Sequence, residues 1–193
     1  WSSDVCSSDL KGVAVPHRAV MNFLCSMAKQ PGLAPEDRLL AVTTLSFDIA
    51  VLELLLPLTL GATVILARRT EAIDGDALID LMNRQHATVM QATPATWRML
   101  IESGWRGDPQ FKALVGGEAL PSDLADQLLE RVGALWNMYG PTETTVWSTC
   151  ERVFSERDGI SIGTPIDNTT VWVLDDQGGP CPIGAPEIGR AHV

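Results

Sequence analysis

Residues 134–145 read ALWNMYGPTETT, an apolar run that leads directly into a turn and a set of polar side chains. The apolar part, residues 134–138, has the length and composition of a buried strand. Gly140-Pro141 then marks a turn at the end of that strand. Judged by residue types alone, residues 142–145 are most simply a solvated surface turn, and a ligand-binding loop is the alternative. The surrounding sequence has to decide between the two.

The same succession of a short apolar run and a helix-like segment recurs along most of the chain. The predicted strands cover residues 39–43, 63–67, 88–91, 112–115 and 134–138, and the predicted helices cover residues 17–29, 48–60, 76–85, 94–102 and 121–132. This alternation predicts an α/β fold, with a mostly parallel sheet and helices on both faces. Residues 146–153 and 170–174 read as further strands with glycine turns between them, which predicts a mixed or antiparallel extension.

Unusual residues gather where the predicted strands end. They are Ser46-Phe47-Asp48, Gln91-Ala92-Thr93-Pro94, Gly116-Gly117-Glu118 and residues 137–145. Ligands of open parallel sheets bind beyond the carboxyl ends of the strands. Because the topology brings these loops to one edge of the sheet, it favours a binding loop over a plain turn at residues 137–145. Thr93 precedes a proline at a helix start, and we expect its side chain to cap that helix.

The overall composition limits the classes of function. The chain has 193 residues, of which 46% are hydrophobic and 20% are charged, as in an ordinary globular domain. A net charge of −10 disfavours binding to nucleic acid and to anionic membranes. The four cysteines (Cys6, Cys25, Cys150 and Cys181) are scattered, which argues against a zinc site or a disulfide scaffold and fits the cytoplasm. No apolar run has the length of a membrane span.

Each residue type in the loop suits one part of a nucleotide. Tyr139 offers an aromatic face for a purine, and Asn137 offers an amide for a base edge. Gly140 allows close approach of the backbone. Thr142 offers a hydroxyl to a phosphate oxygen, and Glu143 offers a carboxylate to Mg²⁺, which prefers one or two carboxylates together with phosphate oxygens. A turn with a packed tyrosine and solvated polar groups fits the same residue types.

Five strings resemble signatures of the adenylate-forming, AMP-binding enzymes, in the form that they take in adenylation domains of nonribosomal peptide synthetases. They are KGVAVPHRAV (11–20), LSFDIAVLELLLPLTLGATV (45–64), GGEAL (116–120), NMYGPTETT (137–145) and IGTPIDNT (162–169). They occur in the family's order, and the resemblance covers about residues 11–187. It implies that residues 137–145 form a binding loop and that the fold is part of the large N-terminal subdomain of such an enzyme.

The resemblance implies a role for each matched position around the nucleotide. The implied nucleotide-binding residues are Gly117, Glu118, Asn137, Tyr139, Gly140 and Thr142. Asn137 and Tyr139 would hold adenine by hydrogen bonding and stacking, and Thr142 would contact the α-phosphate. The implied catalytic residues are Lys11, Thr142 and Glu143, and Glu143 is also the implied Mg²⁺ ligand.

The resemblance also implies an amino-acid site. Asp48 would pair with the α-ammonium group of the substrate, and a plain fatty acid would leave this carboxylate buried and unpaired. From the residues alone, Asp48 is equally well explained as the N-cap of the helix that follows it.

The implied side-chain pocket is apolar apart from one glutamine. Its residues are Ile49, Leu52, Gln91, Leu114, Gly116, Met138, Val146 and Trp147. The bulk of Gln91, Met138 and Trp147 implies a small substrate, with glycine favoured and alanine as the second choice, whereas Gly116 is expected to open space. Glu53 is not assigned to the pocket: it reads as a rim residue or as the partner of an unidentified base.

The implied reaction is the ATP-dependent activation of an amino acid as aminoacyl-AMP, which makes the parent protein an amino-acid-adenylating ligase. Mg²⁺ is the implied cofactor and ATP is a substrate. The phosphopantetheine thiol of a peptidyl carrier domain would then accept the aminoacyl group, so carrier and condensation domains of the same synthetase are implied partners. Two alternatives stay open: an acyl- or aryl-CoA ligase of the same superfamily, and a non-catalytic chimeric fragment.

The two ends of the sequence depart from the family's pattern. A loop rich in glycine, serine and threonine precedes the matching Lys-Gly pair in the family, whereas residues 1–10 lack glycine and contain two aspartates. Near the other end, EIGRAHV stands where the family continues into Gly-Glu-Leu. We therefore expect a partial adenylation domain at 11–187 between foreign segments at 1–10 and 188–193, and we expect this chain to be inactive by itself.

Overall fold

A computed structural model describes residues 12–154, 159–175, 177–181 and 191–192, the last pair by backbone alone. The expected foreign segment at 1–10 and the predicted catalytic Lys11 lie outside the described residues, as does most of 188–193. The bounds proposed for the domain, 11–187, therefore stay a prediction.

Strands and helices alternate along the described chain up to β5. The helices are α1 (His17–Met27), α2 (Ala50–Leu60), α3 (Arg69–Ala72), α4 (Gly75–Gln85), α5 (Pro94–Glu102) and α6 (Ser122–Leu129), and α1 continues into a π-helical turn at Ala28–Gly32. The strands are β1 (Arg38–Ala41), β2 (Thr63–Leu66), β3 (Val89–Ala92), β4 (Asp108–Gly116), β5 (Val132–Tyr139), β6 (Thr149–Val153), β7 (Thr164–Pro165), β8 (Trp172–Val173) and β9 (Ala191–His192).

Seven of these strands form one sheet in the order β2-β1-β3-β4-β5-β6-β7. Strands β1 to β5 run parallel, and β6 and β7 continue the sheet in antiparallel orientation. Strands β8 and β9 pair separately. The predicted α/β fold, with its mostly parallel sheet and antiparallel extension, is confirmed.

Helices cover both faces of the sheet, and successive residues of each strand point to opposite faces. Leu40 and Met90 belong to a buried cluster that includes residues of α4, α5 and α6. Leu39 and Val89, their neighbours in the chain, belong to a second cluster that includes residues of α1 and α2. The buried strands are therefore apolar on both faces, which explains their continuous apolar runs in the sequence.

The structure corrects two details of the prediction. The strand expected from residue 146 begins at Thr149, because Thr145 and Val146 have positive φ angles of 72° and 68° that are incompatible with an extended strand. Thr93 lies at the N-cap position of α5 as predicted, but its side chain makes no capping hydrogen bond.

No helix in the described part of the chain is both long enough and apolar enough to cross a membrane. Helix α2 has the highest apolar content of the predicted helices, and it has only 11 residues, from Ala50 to Leu60. Its C-terminus is closed by Gly61, which adopts a left-handed conformation with φ 76°.

Candidate functional site

The strand order reverses at β1, which lies between β2 and β3. Such a reversal opens a crevice beyond the carboxyl ends of the two strands that flank it, here β1 and β3. A first cavity of about 260 Å³ lies at this point. Its lining comes mainly from the segments that follow β1, β3 and β4, and includes Val42, Thr43, Thr44, Ser46, Phe47, Ile49, Gln91, Ala92, Thr93, Thr96 and Gly116.

A second cavity of about 410 Å³ lies at the carboxyl ends of β4 and β5. It is lined by Gly117, Glu118, Ala119, Asn137, Met138, Tyr139, Gly140, Pro141, Trp147 and Ile162. Five of the residues predicted to bind a nucleotide are in this lining. The structure therefore brings them together around one cavity, although they come from two segments, 117–118 and 137–140, that are about 20 residues apart in the chain.

The predicted amino-acid pocket is also assembled in one place. Ile49, Leu52, Leu114, Met138, Val146 and Trp147 all belong to the buried cluster on the α1 and α2 face of the sheet. Ile49, Gln91 and Gly116 line the first cavity, and Met138 and Trp147 line the second. Gly116, in the lining of the first cavity, lies next to Trp147, in the lining of the second.

An indole ring occupies the space next to Gly116. A Cβ atom placed on Gly116 would lie 2.6 Å from Cη2 of Trp147 and 2.8 Å from the carbonyl oxygen of Met138. The sequence led us to expect open space at Gly116, and that expectation is wrong because the Trp147 side chain fills it. Trp147 is 1% exposed.

A tight turn positions Trp147. The backbone N–H of Trp147 donates to the carbonyl of Thr145 at 2.9 Å, which closes a γ-turn with Val146 at its centre. Val146 is β-branched and has φ 68°, a conformation that is sterically strained for such a residue. Strained backbone of this kind persists where the surrounding structure holds it in place, and it concentrates at functional sites.

A chain of buried hydrogen bonds runs from Trp147 behind the first cavity. Nε1 of Trp147 donates to Oε1 of Gln91 at 2.8 Å. Nε2 of Gln91 donates to the carbonyl of Ile49 and to Oε1 of Glu53, both at 3.1 Å. Gln91 lies in the predicted pocket, but both ends of its amide are held by the protein itself.

Glu53 is the buried end of this chain, with an exposed fraction of 0%. Its carboxylate also accepts from the backbone N–H groups of Val42 and Thr43, both at 3.0 Å, and from the Thr43 hydroxyl at 2.6 Å. Burial raises the pKa of Glu53, and the hydrogen bonds from Thr43, Gln91 and Val42 oppose that rise. These partners identify Glu53 as part of the site's framework and not as a rim residue.

The sequence analysis did not assign Glu53 to the site, although its place in the chain gave one indication that it has specific partners. Glu53 is a lone carboxylate in the apolar run of residues 49–60. A charged group in such a run is rarely buried without specific partners. Its main-chain partners at Val42 and Thr43 have no signature in the sequence, so the network itself could not be predicted.

Asp48 lies just before α2 and is half-buried. Its carbonyl accepts from the N–H of Val51 at 2.9 Å, whereas the N-cap residue of α2 is Ile49 and no side chain caps the helix. The alternative role of Asp48 as a helix cap is therefore wrong. Phe47 and Ile49, its neighbours, line the first cavity, and Asp48 itself stands outside that lining.

The end of β5 and the loop that follows it place their polar residues in two environments. Asn137 is buried, and its amide donates to the carbonyl of Ser161 at 2.7 Å, which orients the side chain. Thr142 and Glu143 are exposed in a 3₁₀ turn that follows Pro141. Within the described residues, no group of three or more His, Cys, Asp or Glu side chains could hold a metal ion.

Gly140 is required at its position in this loop. A Cβ atom there would lie 2.6 Å from both the Ser148 nitrogen and the Val146 oxygen, which are backbone atoms that cannot rotate away. We expect Gly140→Ala to destabilise the protein by about 3 kcal/mol through overpacking, measured by urea denaturation.

The matched control for this substitution is Gly104→Ala. Gly104 has φ 87°, and a Cβ atom there would meet nothing within 4 Å, so the control introduces backbone strain alone and should cost roughly 1 kcal/mol. Equal unfolding midpoints for the two variants would contradict the close contact at Gly140.

Comparisons with known proteins agree on one family. A family model described as AMP-binding enzyme matches residues 8–192. The chain is 44% identical over 177 residues to a PKS-NRPS hybrid synthetase of Aspergillus candidus, covering 90% of this chain and 7% of that protein. It is 43% identical over 184 residues to a dimodular nonribosomal peptide synthase of Bacillus subtilis, covering 95% of this chain and 8% of that protein. The chain therefore spans less than a tenth of the length of these relatives.

Solved structures show the same relationship. The fold matches that of a four-domain nonribosomal peptide synthetase bound to AMP and glycine, with a TM-score of 0.87 and 48% identity, over 89% of this chain and 13% of that chain. It also matches an adenylation domain of Vibrio cholerae in complex with glycyl-adenosine-5'-phosphate, with a TM-score of 0.79 and 22% identity, over 90% of this chain and 35% of that chain. At that lower identity, the second match shows the shared fold alone.

Proposed function

Because this chain belongs to the AMP-binding enzyme family, among the adenylation domains of nonribosomal peptide synthetases, we propose that it forms part of a domain that activates a small amino acid as aminoacyl-AMP. The observation that carries the proposal is the closeness of two cavities: Gly116 lines the first, and the neighbouring Trp147 lines the second. One cavity is lined by the residues predicted for a nucleotide and the other by residues predicted for an amino acid. The two substrates of an adenylation reaction have to meet in this way.

The second cavity suits the adenosine part of ATP. Asn137 and Tyr139 line it on one side, and Gly117 and Glu118 line it on the other. Gly117 has φ 85°, a conformation that L-residues with side chains rarely adopt, and it leaves the backbone open to a flat ring. The proposed contacts are a hydrogen bond from the buried Asn137 and stacking on Tyr139.

The exposed turn next to this cavity is where we place the phosphates. Thr142 would donate its hydroxyl to the α-phosphate. Glu143 would contribute one carboxylate to Mg²⁺, and phosphate oxygens and water would complete the coordination. When bound, Mg²⁺ would neutralise phosphate charge. The proposed catalytic role of Lys11 rests on the sequence alone.

The first cavity and the buried cluster beside it suit a very small amino acid. Trp147 fills the space next to Gly116, and Gln91 is held behind it, so little room remains for a substrate side chain. Asp48, which lies between the lining residues Phe47 and Ile49, would turn toward the cavity to pair with the α-ammonium group. We therefore favour glycine, with alanine as the second choice. A relative that is 48% identical to this chain was solved with AMP and glycine bound, which supports the same choice.

The proposed reaction asks for little covalent chemistry from these residues. A carboxylate oxygen of the amino acid attacks the α-phosphorus of ATP, and pyrophosphate leaves as the bond to the β-phosphate oxygen breaks. Holding the two reactants in line and stabilising the charge that develops on phosphorus would supply the catalysis.

The proposal extends to partners and to location. The aminoacyl group would pass from AMP to the phosphopantetheine thiol of a peptidyl carrier domain, and a condensation domain of the same synthetase would use it. The scattered spacing of the four cysteines in the sequence is the reason we propose a reducing cytoplasm as the place of action.

The test is amino-acid-dependent exchange of pyrophosphate into ATP by the complete adenylation domain that contains this chain. Glycine should give the highest rate and alanine the next, and leucine or phenylalanine should give little exchange. If acetate or benzoate supports exchange and amino acids do not, the chain belongs to an acyl- or aryl-CoA ligase. If no carboxylic acid supports exchange, the proposed activity is wrong.

A further inference from the structure

We propose that Glu53 is a positioning residue for amino-acid selectivity: its carboxylate orients Gln91, and Gln91 holds the Trp147 indole across Gly116. The inference rests on the proposed function of the same pocket. Glu53 is absent from the linings of the first and second cavities, so it would act through Gln91 and Trp147 and not by touching the substrate.

The first step concerns the orientation of the Gln91 amide. The indole has a single hydrogen-bond donor, Nε1, which points at Oε1 of Gln91 from 2.8 Å. The amide can present its oxygen there only if its NH₂ group points the other way. On that other side lie two acceptors, the carbonyl of Ile49 and Oε1 of Glu53. If the amide turned over, its oxygen would face two oxygens and its NH₂ group would face the indole N–H.

The second step concerns the charge of Glu53. Its hydrogen-bond partners among the described residues are all neutral donors: two backbone N–H groups, the Thr43 hydroxyl and the Gln91 amide. Burying a carboxylate without a cation is costly, and hydrogen bonds of this number are needed to offset the cost. An apolar residue at this place in α2 would avoid that cost, but it would leave the Gln91 NH₂ group with the Ile49 carbonyl as its single acceptor.

The third step links the network to the pocket. Gly116 lines the first cavity, and the indole lies 2.6 Å from the place where a Cβ atom on Gly116 would be, so we place the indole as the wall behind Gly116. A small tilt of this wall would admit one methyl group, which is the difference between glycine and alanine. The acceptor that keeps the indole from tilting is Gln91, and Glu53 is the side-chain acceptor that keeps Gln91 in place together with the Ile49 carbonyl.

Glu53→Gln tests this link while keeping the volume of the side chain. Its amide oxygen can still accept from the N–H groups of Val42 and Thr43, but its NH₂ group then faces the NH₂ group of Gln91. Either the two amides move apart or Gln91 turns over, and in both cases the indole is held less firmly.

A matched control is Thr88→Val. The Thr88 hydroxyl donates to Asp37 and accepts from the N–H of Arg38, at the amino end of β3 and therefore at the opposite edge of the sheet. The control thus loses hydrogen bonds of comparable strength without touching the network behind the pocket.

The first measurement is kcat/KM of the complete domain for glycine and for alanine. In Glu53→Gln, the glycine-to-alanine ratio should fall by about threefold to tenfold, which is the size expected for the loss of one hydrogen bond. Gln91→Leu should lower the ratio at least as much, and Thr88→Val should leave it unchanged. If Glu53→Gln lowers both kcat/KM values equally, Glu53 is merely structural and the proposal is overturned.

The second measurement does not depend on the substrate. Fluorine NMR of protein that contains fluorotryptophan reports the surroundings of each indole, and Trp147→Phe identifies the Trp147 resonance. This resonance should shift or split in Glu53→Gln and stay in place in Thr88→Val. An unmoved resonance in Glu53→Gln would overturn the proposal. If the wild-type domain activates no small amino acid, the proposed function fails, and the resonance still decides whether Glu53 positions Trp147.

Discussion

Asp48→Ala in the complete adenylation domain should lower kcat/KM for glycine by about two to three orders of magnitude. The substrate's ammonium group would then be buried in the first cavity without its counter-charge, and breaking such a pair costs about 3–5 kcal/mol. Asp48→Asn should lose nearly as much, because the charge and not the size of the side chain is required. Pyrophosphate exchange under subsaturating glycine measures the effect.

The control for this variant is Asp76→Ala. Asp76 is an exposed carboxylate in the first turn of α4, so its removal tests the general effect of losing a negative charge at a helix N-terminus. We expect no change in exchange from Asp76→Ala. If Asp48→Ala retains full activity with glycine, then Asp48 does not bind the ammonium group and the proposed substrate site is misplaced.

Trp147→Ala should both destabilise the domain and change its preferred amino acid. Trp147 is almost fully buried, and truncating a residue of this kind costs about 3–5 kcal/mol. The space freed next to Gly116 should admit larger aliphatic side chains, so leucine or valine should replace glycine as the best substrate. Thermal unfolding and exchange assays with a panel of amino acids measure the two effects separately.

Trp97→Ala separates loss of packing from loss of selectivity. Trp97 is also fully buried, but it lies in the cluster on the opposite face of the sheet, where its ring packs against Trp105 and Phe111. Its truncation should cost a similar stability and leave glycine as the preferred substrate. If both variants unfold too readily for assay, Trp147→Phe should show a smaller shift toward larger substrates. A preference for glycine that is unchanged in Trp147→Phe and Trp147→Ala would contradict the role of the indole as a wall.

The alternation of strands and helices could be predicted because it depends on local patterns. Helix α5 begins and ends where the sequence predicted, at Pro94 and Glu102, since a proline start and apolar spacing are local signals. The mostly parallel sheet followed from the same alternation. The resemblance to the AMP-binding enzymes rested on short strings of residues, and the family match confirms it.

The candidate site could be predicted only as a set of residues and not as an arrangement. The loops after the strands were expected to meet at one edge, and the structure places the predicted pocket residues in one cluster and around two cavities. One local expectation was wrong there: Gly116 does not open space, because Trp147, which is distant in the chain, fills it. The alternative role of Asp48 as a cap also fails, because the N-cap residue of α2 is Ile49.

By itself, then, the sequence determined the α/β class, the order of the elements and the family, because all three depend on local periodicity and short motifs. Tertiary structure alone decided that Glu53 is buried, which way the Gln91 amide points and what fills the space at Gly116. The hydrogen bond from Trp147 to Gln91 joins residues 56 apart in the chain, and the bond from Gln91 to Glu53 joins residues 38 apart. The physical reason is that contacts of such long range exist only after the sheet has brought β1, β3 and the turn after β5 together.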